Sequence, residues 1–255
     1  MSTIVSIHSY RGGTGKSNLT ANLASSIVQQ GKRVAVVDTD LQSPGLHVLF
    51  GMSQQQEGLT LNDYLYGRCS IEQAVRDVTS KSGSDETTQG VLFLLPASIK
   101  AGEITRMLRE GYEVNLLTDG FRTLMKTLRL DYLFIDTHPG LNEETLLSLL
   151  ISDILVLILR PDQQDFQGTA VTVEVARRLK LKKLLLVVNN VLPKLDFASL
   201  RRQVQEAYHA PVAGILPVSE EMIELGSANI FTLVYPEHPY TRGVRDIAAQ
   251  ILSAA

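Results

Sequence analysis

A glycine-rich segment near the amino terminus decides how this chain is interpreted. It reads Ser9-Tyr10-Arg11-Gly12-Gly13-Thr14-Gly15-Lys16-Ser17. A short apolar run, residues 4–7, precedes it, and a stretch with helical spacing of apolar residues, 19–28, follows it. Glycines let backbone N–H groups approach phosphate oxygens because no Cβ stands in the way, and the start of a helix adds N–H donors and partial positive charge. This strand, loop and helix predict a phosphate-binding loop.

The two residues that end the loop have separate expected roles. Lys16 is predicted to reach the β- and γ-phosphates of ATP, and Ser17 to place its hydroxyl on Mg²⁺. The strict pattern G-x-x-x-x-G-K-[ST] is not met, since Tyr10 stands where it has glycine. The predicted nucleotide contacts are Gly12, Gly13, Thr14, Gly15, Lys16, Ser17 and Asn18.

The rest of the chain alternates short apolar runs with amphipathic stretches. Strands are predicted at residues 4–7, 33–37, 91–95, 132–135, 154–159, 184–188 and 212–216. Helices are predicted at residues 19–28, 144–150, 169–179, 200–208 and 244–252. Near-continuous apolar strands separated by helices favour an α/β fold, a mostly parallel sheet with helices on both faces. We expect one domain over residues 1–255, since that length suits one large core.

Composition excludes several classes of protein. The 44% hydrophobic and 20% charged residues are typical of a folded globular chain. Cys69 is the only cysteine, so neither an internal disulfide nor a cysteine-based metal or iron–sulfur site is available. The first residues lack the features of a signal peptide, and no apolar run is long enough to span a bilayer. A cytoplasmic protein is expected.

The inner loop segment resembles the deviant Walker A loop of the MinD/ParA group, K-G-G-x-G-K-[ST], whose signature lysine falls on Arg11. The resemblance continues in Val37-Asp38-Thr39-Asp40, in Tyr132-Leu133-Phe134-Ile135-Asp136-Thr137-His138-Pro139-Gly140 and in Val188-Asn189. Pro217 matches a proline that lies near the base in this group. His138 stands where the group often has proline. The resemblance therefore covers nearly the whole chain.

The resemblance implies a role for each matching residue. Asp40 would orient or activate the attacking water, and Asp38, Asp136 and Ser17 would serve the Mg²⁺ shell. Asn189 would recognise the adenine edge, and Pro217 would lie beside the base. Read alone, Asp38 and Asp40 are also compatible with solvent-facing carboxylates, and Asn189 with a turn residue. His138 is either a functional group or a loop histidine bonded to backbone.

The same resemblance implies a switch that forms a homodimer with ATP, hydrolyses ATP slowly under stimulation by an activator or adaptor protein, and positions a cellular cargo. Arg11 would act across the dimer on the partner's phosphates, or else face solvent or pair with a carboxylate of its own subunit. Two alternatives remain open: a nucleotide-binding regulator with little hydrolysis, and a small-molecule ligase similar to dethiobiotin synthetase.

Two surfaces bear on where such a switch would act. Arg177, Arg178, Lys180, Lys182 and Lys183 form a basic cluster that is compatible with non-specific DNA binding, or simply with a soluble helix end. The final residues lack the lysines and bulky aromatics of a membrane-surface helix, so no stable membrane anchoring is expected.

We predict that Lys16→Ala abolishes binding of a fluorescent ATP analogue, because the variant lacks the cation that meets the phosphates. Fluorescence titration with Mg²⁺ measures this. An unchanged affinity would show that the loop is not the phosphate site.

Overall fold

The computed structural model describes residues 2–52, 58–84 and 88–254. The described strands are β1 Thr3–His8, β2 Arg33–Asp38, β3 Arg76–Asp77, β4 Val91–Leu95, β5 Tyr132–Asp136, β6 Ile154–Leu159, β7 Lys183–Val191 and β8 Val212–Pro217. The described helices are α1 Lys16–Val28, α2 Leu46–Leu49, α3 Leu61–Leu65, α4 Ile71–Ala74, α5 Ala101–Glu110, α6 Asn115–Thr127, α7 Glu143–Ile151, α8 Gln163–Arg178, α9 Phe197–Tyr208, α10 Glu220–Leu225, α11 Phe231–Val234 and α12 Pro239–Leu252. A 3₁₀ turn covers Thr79–Lys81.

The strands form one eight-stranded sheet in the order β3-β4-β2-β5-β1-β6-β7-β8. Its neighbouring strands are parallel except β3, which pairs antiparallel with β4. The predicted fold class is therefore confirmed, and all seven predicted strands are present. β1 lies between β5 and β6, where the chain order changes direction, and ligands of open parallel sheets bind at such a switch point.

Helices cover both faces of the sheet. On one face, α1 and α12 bury Leu23, Ile27 and Ile247 against the strands. On the other, Phe121 of α6 packs over β2 and β5, and Val204 of α9 packs over β6 and β7. The apolar side of α12 thus lies in the core. In the described residues, no helix combines the length and apolarity that crossing a membrane requires.

The largest differences from the expected elements lie outside the sheet. α5 and α6 are absent from the sequence prediction, and α8 begins at Gln163, six residues before the predicted start. Asp162 explains the earlier start, because its side chain accepts a hydrogen bond from the Asp165 backbone N–H and caps the helix.

Candidate functional site

The glycine-rich loop joins the carboxyl end of β1 to the first turn of α1. Gly13 and Gly15 have φ angles of 75° and 92°, a region that residues with side chains seldom adopt. A Cβ on Gly15 would lie 2.6 Å from the amide nitrogen of Asn189, so a larger residue would strain the turn and displace Asn189. No side chain of the described chain caps the first turn of α1. The free N–H groups there are suited to an anion.

Lys16 is the charged group at the centre of this site. It is 8% exposed, and among the described residues it forms no salt bridge within 4 Å. A buried ammonium without an ion partner is costly, and a bound phosphate would remove that cost. The loop and Lys16 therefore fit the triphosphate of ATP.

Two aspartates lie side by side below the loop. Asp38 ends β2, Asp136 ends β5, and the two are paired in the sheet register. Each is 1% exposed. Burial raises the pKa of both carboxyl groups, and the negative charge of Asp136 raises the pKa of Asp38 further. The positive charge of Lys16 and the Ser17 hydroxyl act in the opposite direction on the pKa of Asp136. This buried pair of acids would be stabilised by a divalent cation.

The hydrogen bonds of the two aspartates give them different tasks. Asp38 accepts from the backbone N–H groups of Asp40, Gly45 and Leu46 at 3.0–3.1 Å, so it fixes the loop after β2. The Asp136 carboxylate accepts a long bond of 3.4 Å from the Thr20 hydroxyl, and the Ser17 hydroxyl also acts on it.

Mg²⁺ binding by Ser17, Asp38 and Asp136 stays a prediction, and of the two aspartates Asp136 has the carboxylate that is less engaged by backbone donors. In the described part of the chain, no three His, Cys, Asp or Glu side chains form a metal site by themselves.

The segment Asp38-Thr39-Asp40 at the end of β2 and the segment after β5 meet at the same edge of the sheet, where the parallel strands end. Asp40 Oδ1 accepts from the Ser43 backbone N–H at 3.0 Å and lies 3.9 Å from His138 Nε2. Gly140, with φ at 84°, donates its N–H to the Ser9 carbonyl at 3.1 Å. The segment after β5 is thus hydrogen-bonded directly to the phosphate loop.

The two residues predicted near the base lie on neighbouring strands. Asn189 on β7 is 4% exposed, and its Nδ2 donates to the Thr14 carbonyl at 2.8 Å. Within the described residues Asn189 Oδ1 is buried without a partner, so it offers an acceptor of the kind that an adenine amino group needs. Pro217 ends β8 opposite Val191. Adenine contact by Asn189 and Pro217 stays a prediction, while the support that Asn189 gives to the loop is a new finding.

Asn18 belongs to the first turn of α1 but faces away from the loop backbone. Its Nδ2 donates to the Ser227 hydroxyl at 3.2 Å. Ser227 has a positive φ of 63° and follows α10. Asn18 therefore joins α1 to the segment after β8, and its predicted contact with the nucleotide stays a prediction.

The structure explains how Tyr10 can stand where the pattern G-x-x-x-x-G-K-[ST] has glycine. Tyr10 is 39% exposed, and its ring lies over Gly168 in the first half of α8. A Cβ on Gly168 would lie 2.0 Å from Tyr10 Cδ1. The ring therefore leaves the loop and packs on a helix, and the phosphate-binding backbone stays open.

Arg11 also leaves the loop towards α8. Its Nη1 lies 3.7 Å from Asp162 Oδ1 and 3.6 Å from Asp165 Oδ1. Asp165 is 2% exposed and also accepts from Arg160 Nε at 3.0 Å. In the isolated chain Arg11 thus pairs with carboxylates of its own subunit, the second of the two readings. The sequence prediction missed Arg160, Asp162 and Asp165, although an aspartate directly after a strand is a helix-start signal.

Most of the basic cluster is already engaged in contacts. Arg177 Nη2 donates to the Tyr208 carbonyl at the end of α9. Arg178 pairs with Glu174 and Lys182 with Asp153, each at 2.5 Å. Lys180 and Lys183 show no ion pair in the described chain. DNA binding by this cluster stays a prediction, and these contacts leave fewer charges for it.

We predict that Asp136→Asn weakens Mg²⁺ affinity in the presence of ADP by ~10–100-fold, the scale seen when a group that orients a metal is lost. ADP without Mg²⁺ should still bind, because Lys16 and the loop are unchanged. Calorimetric titration of Mg²⁺ measures the change. Asp119→Asn, at a side chain that is 73% exposed, is the matched control and should leave both affinities unchanged. Equal Mg²⁺ affinity in the two variants would exclude Asp136 from the site.

Comparison with known proteins agrees with this geometry. The model of the AAA-domain family matches residues 2–188. An uncharacterized ATP-binding protein of Methanocaldococcus jannaschii is 25% identical over 257 residues, which cover 100% of this chain and 89% of that protein.

Two solved structures share the fold over almost their full lengths. The cell division ATPase MinD of Pyrococcus furiosus has a TM-score of 0.80 and 22% identity, with 100% of both chains covered. The septum site-determining protein MinD of Pyrococcus horikoshii, complexed with Mg-ADP, has a TM-score of 0.78 and 21% identity, with 98% of this chain and 96% of that chain covered. The chain therefore belongs to the AAA-domain family, and within it to the MinD/ParA group of P-loop ATPases.

Proposed function

We propose that this chain hydrolyses Mg-ATP and alternates between a monomer and an ATP-bound homodimer, acting in the cytoplasm as a switch that positions a cellular cargo. The observation that carries this proposal is Lys16 at the end of a glycine-rich loop, buried beside Asp136 and without a salt bridge among the described residues. The MinD of P. horikoshii is complexed with Mg-ADP, which supports the choice of nucleotide and ion.

Each residue of the site has a task in this reaction. The loop backbone and Lys16 hold the β- and γ-phosphates, and Asp40 holds the attacking water in line with the γ-phosphate. Mg²⁺, held by Ser17 and through water by Asp136, would neutralise charge on the phosphate oxygens. As the resemblance to the MinD/ParA group implies, hydrolysis should be slow until an activator or adaptor protein completes the site.

Arg11 is the group that we assign to the dimer. A guanidinium always carries charge and matches phosphate oxygens with a planar set of donors. In the monomer it pairs with Asp162 and Asp165, at distances above the usual range for a hydrogen bond. Such a contact is weak enough to be exchanged for the phosphates of a second subunit. The alternative, a ligase in which Arg11 binds a substrate carboxylate, would turn over without an activator protein.

We predict that Asp40→Ala keeps ATP affinity but stops hydrolysis, which traps the dimer because the γ-phosphate is never removed. Light scattering should give twice the monomer mass with Mg-ATP and the monomer mass with Mg-ADP. A turnover assay supplies the second measurement. If the variant hydrolyses ATP at the parent rate, another residue holds the water.

Arg11→Ala should lose both dimerisation by ATP and hydrolysis, while Lys16 in each monomer still binds ATP. The loss of a phosphate-binding arginine supplied in trans typically lowers kcat by ~10³–10⁵-fold. Arg11→Lys restores the residue typical of the group and is the matched control, so it should retain the dimer. An Arg11→Ala protein that dimerises and hydrolyses normally would assign Arg11 to the monomer alone. A regulator with little hydrolysis would instead dimerise with ATP and show no turnover even in the parent.

A further inference from the structure

His138 and Asp40 approach each other at the edge of the phosphate site. His138 Nε2 lies 3.9 Å from Asp40 Oδ1, and the two side chains are 24% and 14% exposed. They belong to different loops, one after β5 and one after β2. The pair therefore exists only because the sheet places these two strand ends beside each other.

The hydrogen bonds of His138 fix which ring nitrogen carries the proton. Nδ1 lies 2.7 Å from the Pro139 carbonyl oxygen, and a carbonyl oxygen can only accept, so Nδ1 is the donor. The neutral ring then has a bare lone pair on Nε2. Asp40 Oδ1 already accepts from Ser43 and is also an acceptor. Two acceptors thus face each other without a proton between them.

A water molecule fits between two such acceptors. It has two O–H donors, and hydrogen bonds of ~2.8 Å from one oxygen can reach two atoms that are 3.9 Å apart.

The backbone around His138 is held firmly enough to keep this geometry. Thr137, 1% exposed, donates its hydroxyl to the Ile7 carbonyl at 3.0 Å and accepts from His8 Nδ1 at 2.7 Å. The Thr145 hydroxyl donates to the His138 carbonyl at 3.3 Å. The segment is thus tied to β1 on one side and to α7 on the other, so the ring does not depend on a free loop for its position.

We propose that His138 Nε2 and Asp40 together hold the water that attacks ATP, with His138 as the second acceptor. The inference rests on the proposed ATPase function. The water oxygen forms a bond to the γ-phosphorus, and the bond from that phosphorus to the β–γ bridging oxygen breaks, its electron pair leaving with ADP. One water proton passes to the Asp40 carboxylate while the other stays hydrogen-bonded to Nε2. Both donors of the water then face the protein, and its lone pair faces phosphorus.

Two substitutions of His138 separate its two nitrogens. His138→Gln places an amide oxygen near the position of Nε2, so it keeps the second acceptor. His138→Asn is too short to do so and can replace only the group near Nδ1. We expect His138→Asn to lower kcat at least about tenfold. This loss is smaller than the ~10²–10⁴-fold loss expected when a principal acid–base group is removed. KM and the ATP dissociation constant should change little. His138→Gln should recover most of the lost rate.

Turnover at the parent rate in His138→Asn would overturn the proposal, as would an equal loss in the two variants accompanied by weaker ATP binding. Failure of the underlying function has another signature: the parent protein would bind ATP and hydrolyse none, in which case both proposals are wrong.

A measurement without nucleotide gives an independent check. ¹⁵N NMR of the histidine rings in the full chain, with His138→Gln to assign the signal, reports which nitrogen is protonated. Because Nδ1 donates to the Pro139 carbonyl, we expect the neutral ring of His138 to carry its proton on Nδ1. An Nε2–H tautomer would overturn the proposal.

Discussion

The nucleotide site depends on one electrostatic arrangement, in which two aspartates on adjacent strands share a buried edge with a single lysine. Asp38 and Asp136 are register partners, and the burial of both raises their pKa. Lys16 offsets part of the repulsion but not all of it. Without bound nucleotide and metal, the edge therefore carries charges that the protein cannot fully compensate. The proposed binding of Mg²⁺ with a phosphate chain would supply both missing partners at once.

The phosphate loop keeps its backbone free because its bulky residues are held elsewhere. The Tyr10 ring rests on Gly168, and the Arg11 guanidinium on the carboxylates at the start of α8. Asn189 supports the loop from the opposite side through the Thr14 carbonyl. The loop is thus braced from both directions by strands and helices distant in sequence. A loop braced in this way needs little rearrangement to meet a phosphate, so less conformational entropy is lost on binding.

The sequence predicted the parts of this structure that have a local cause. Continuous apolar runs marked the seven parallel strands, and the glycine-rich loop marked the phosphate site. β3 was missed because a strand of two residues has no period to detect. α5 is short and buries only Met107, and it was missed although Ile104, Met107 and Leu108 stand at helical spacing. The bond from Asn189 to Thr14 joins residues 175 positions apart, and the contacts of Arg11 with α8 are similarly remote. Such contacts form only when the sheet has assembled, so no short sequence pattern predicts them.

The contact between Tyr10 and Gly168 has a consequence for how related sequences can diverge. The ring occupies the space in which any side chain at position 168 would begin, so position 168 cannot gain a side chain while the ring is there. A lineage that acquires alanine or a larger residue at 168 must first reduce the residue at 10, and a lineage that regains glycine at 10 frees position 168 to vary. The two positions should therefore be substituted together across evolution, and a statistical coupling between them would record a steric exclusion rather than a shared chemical role.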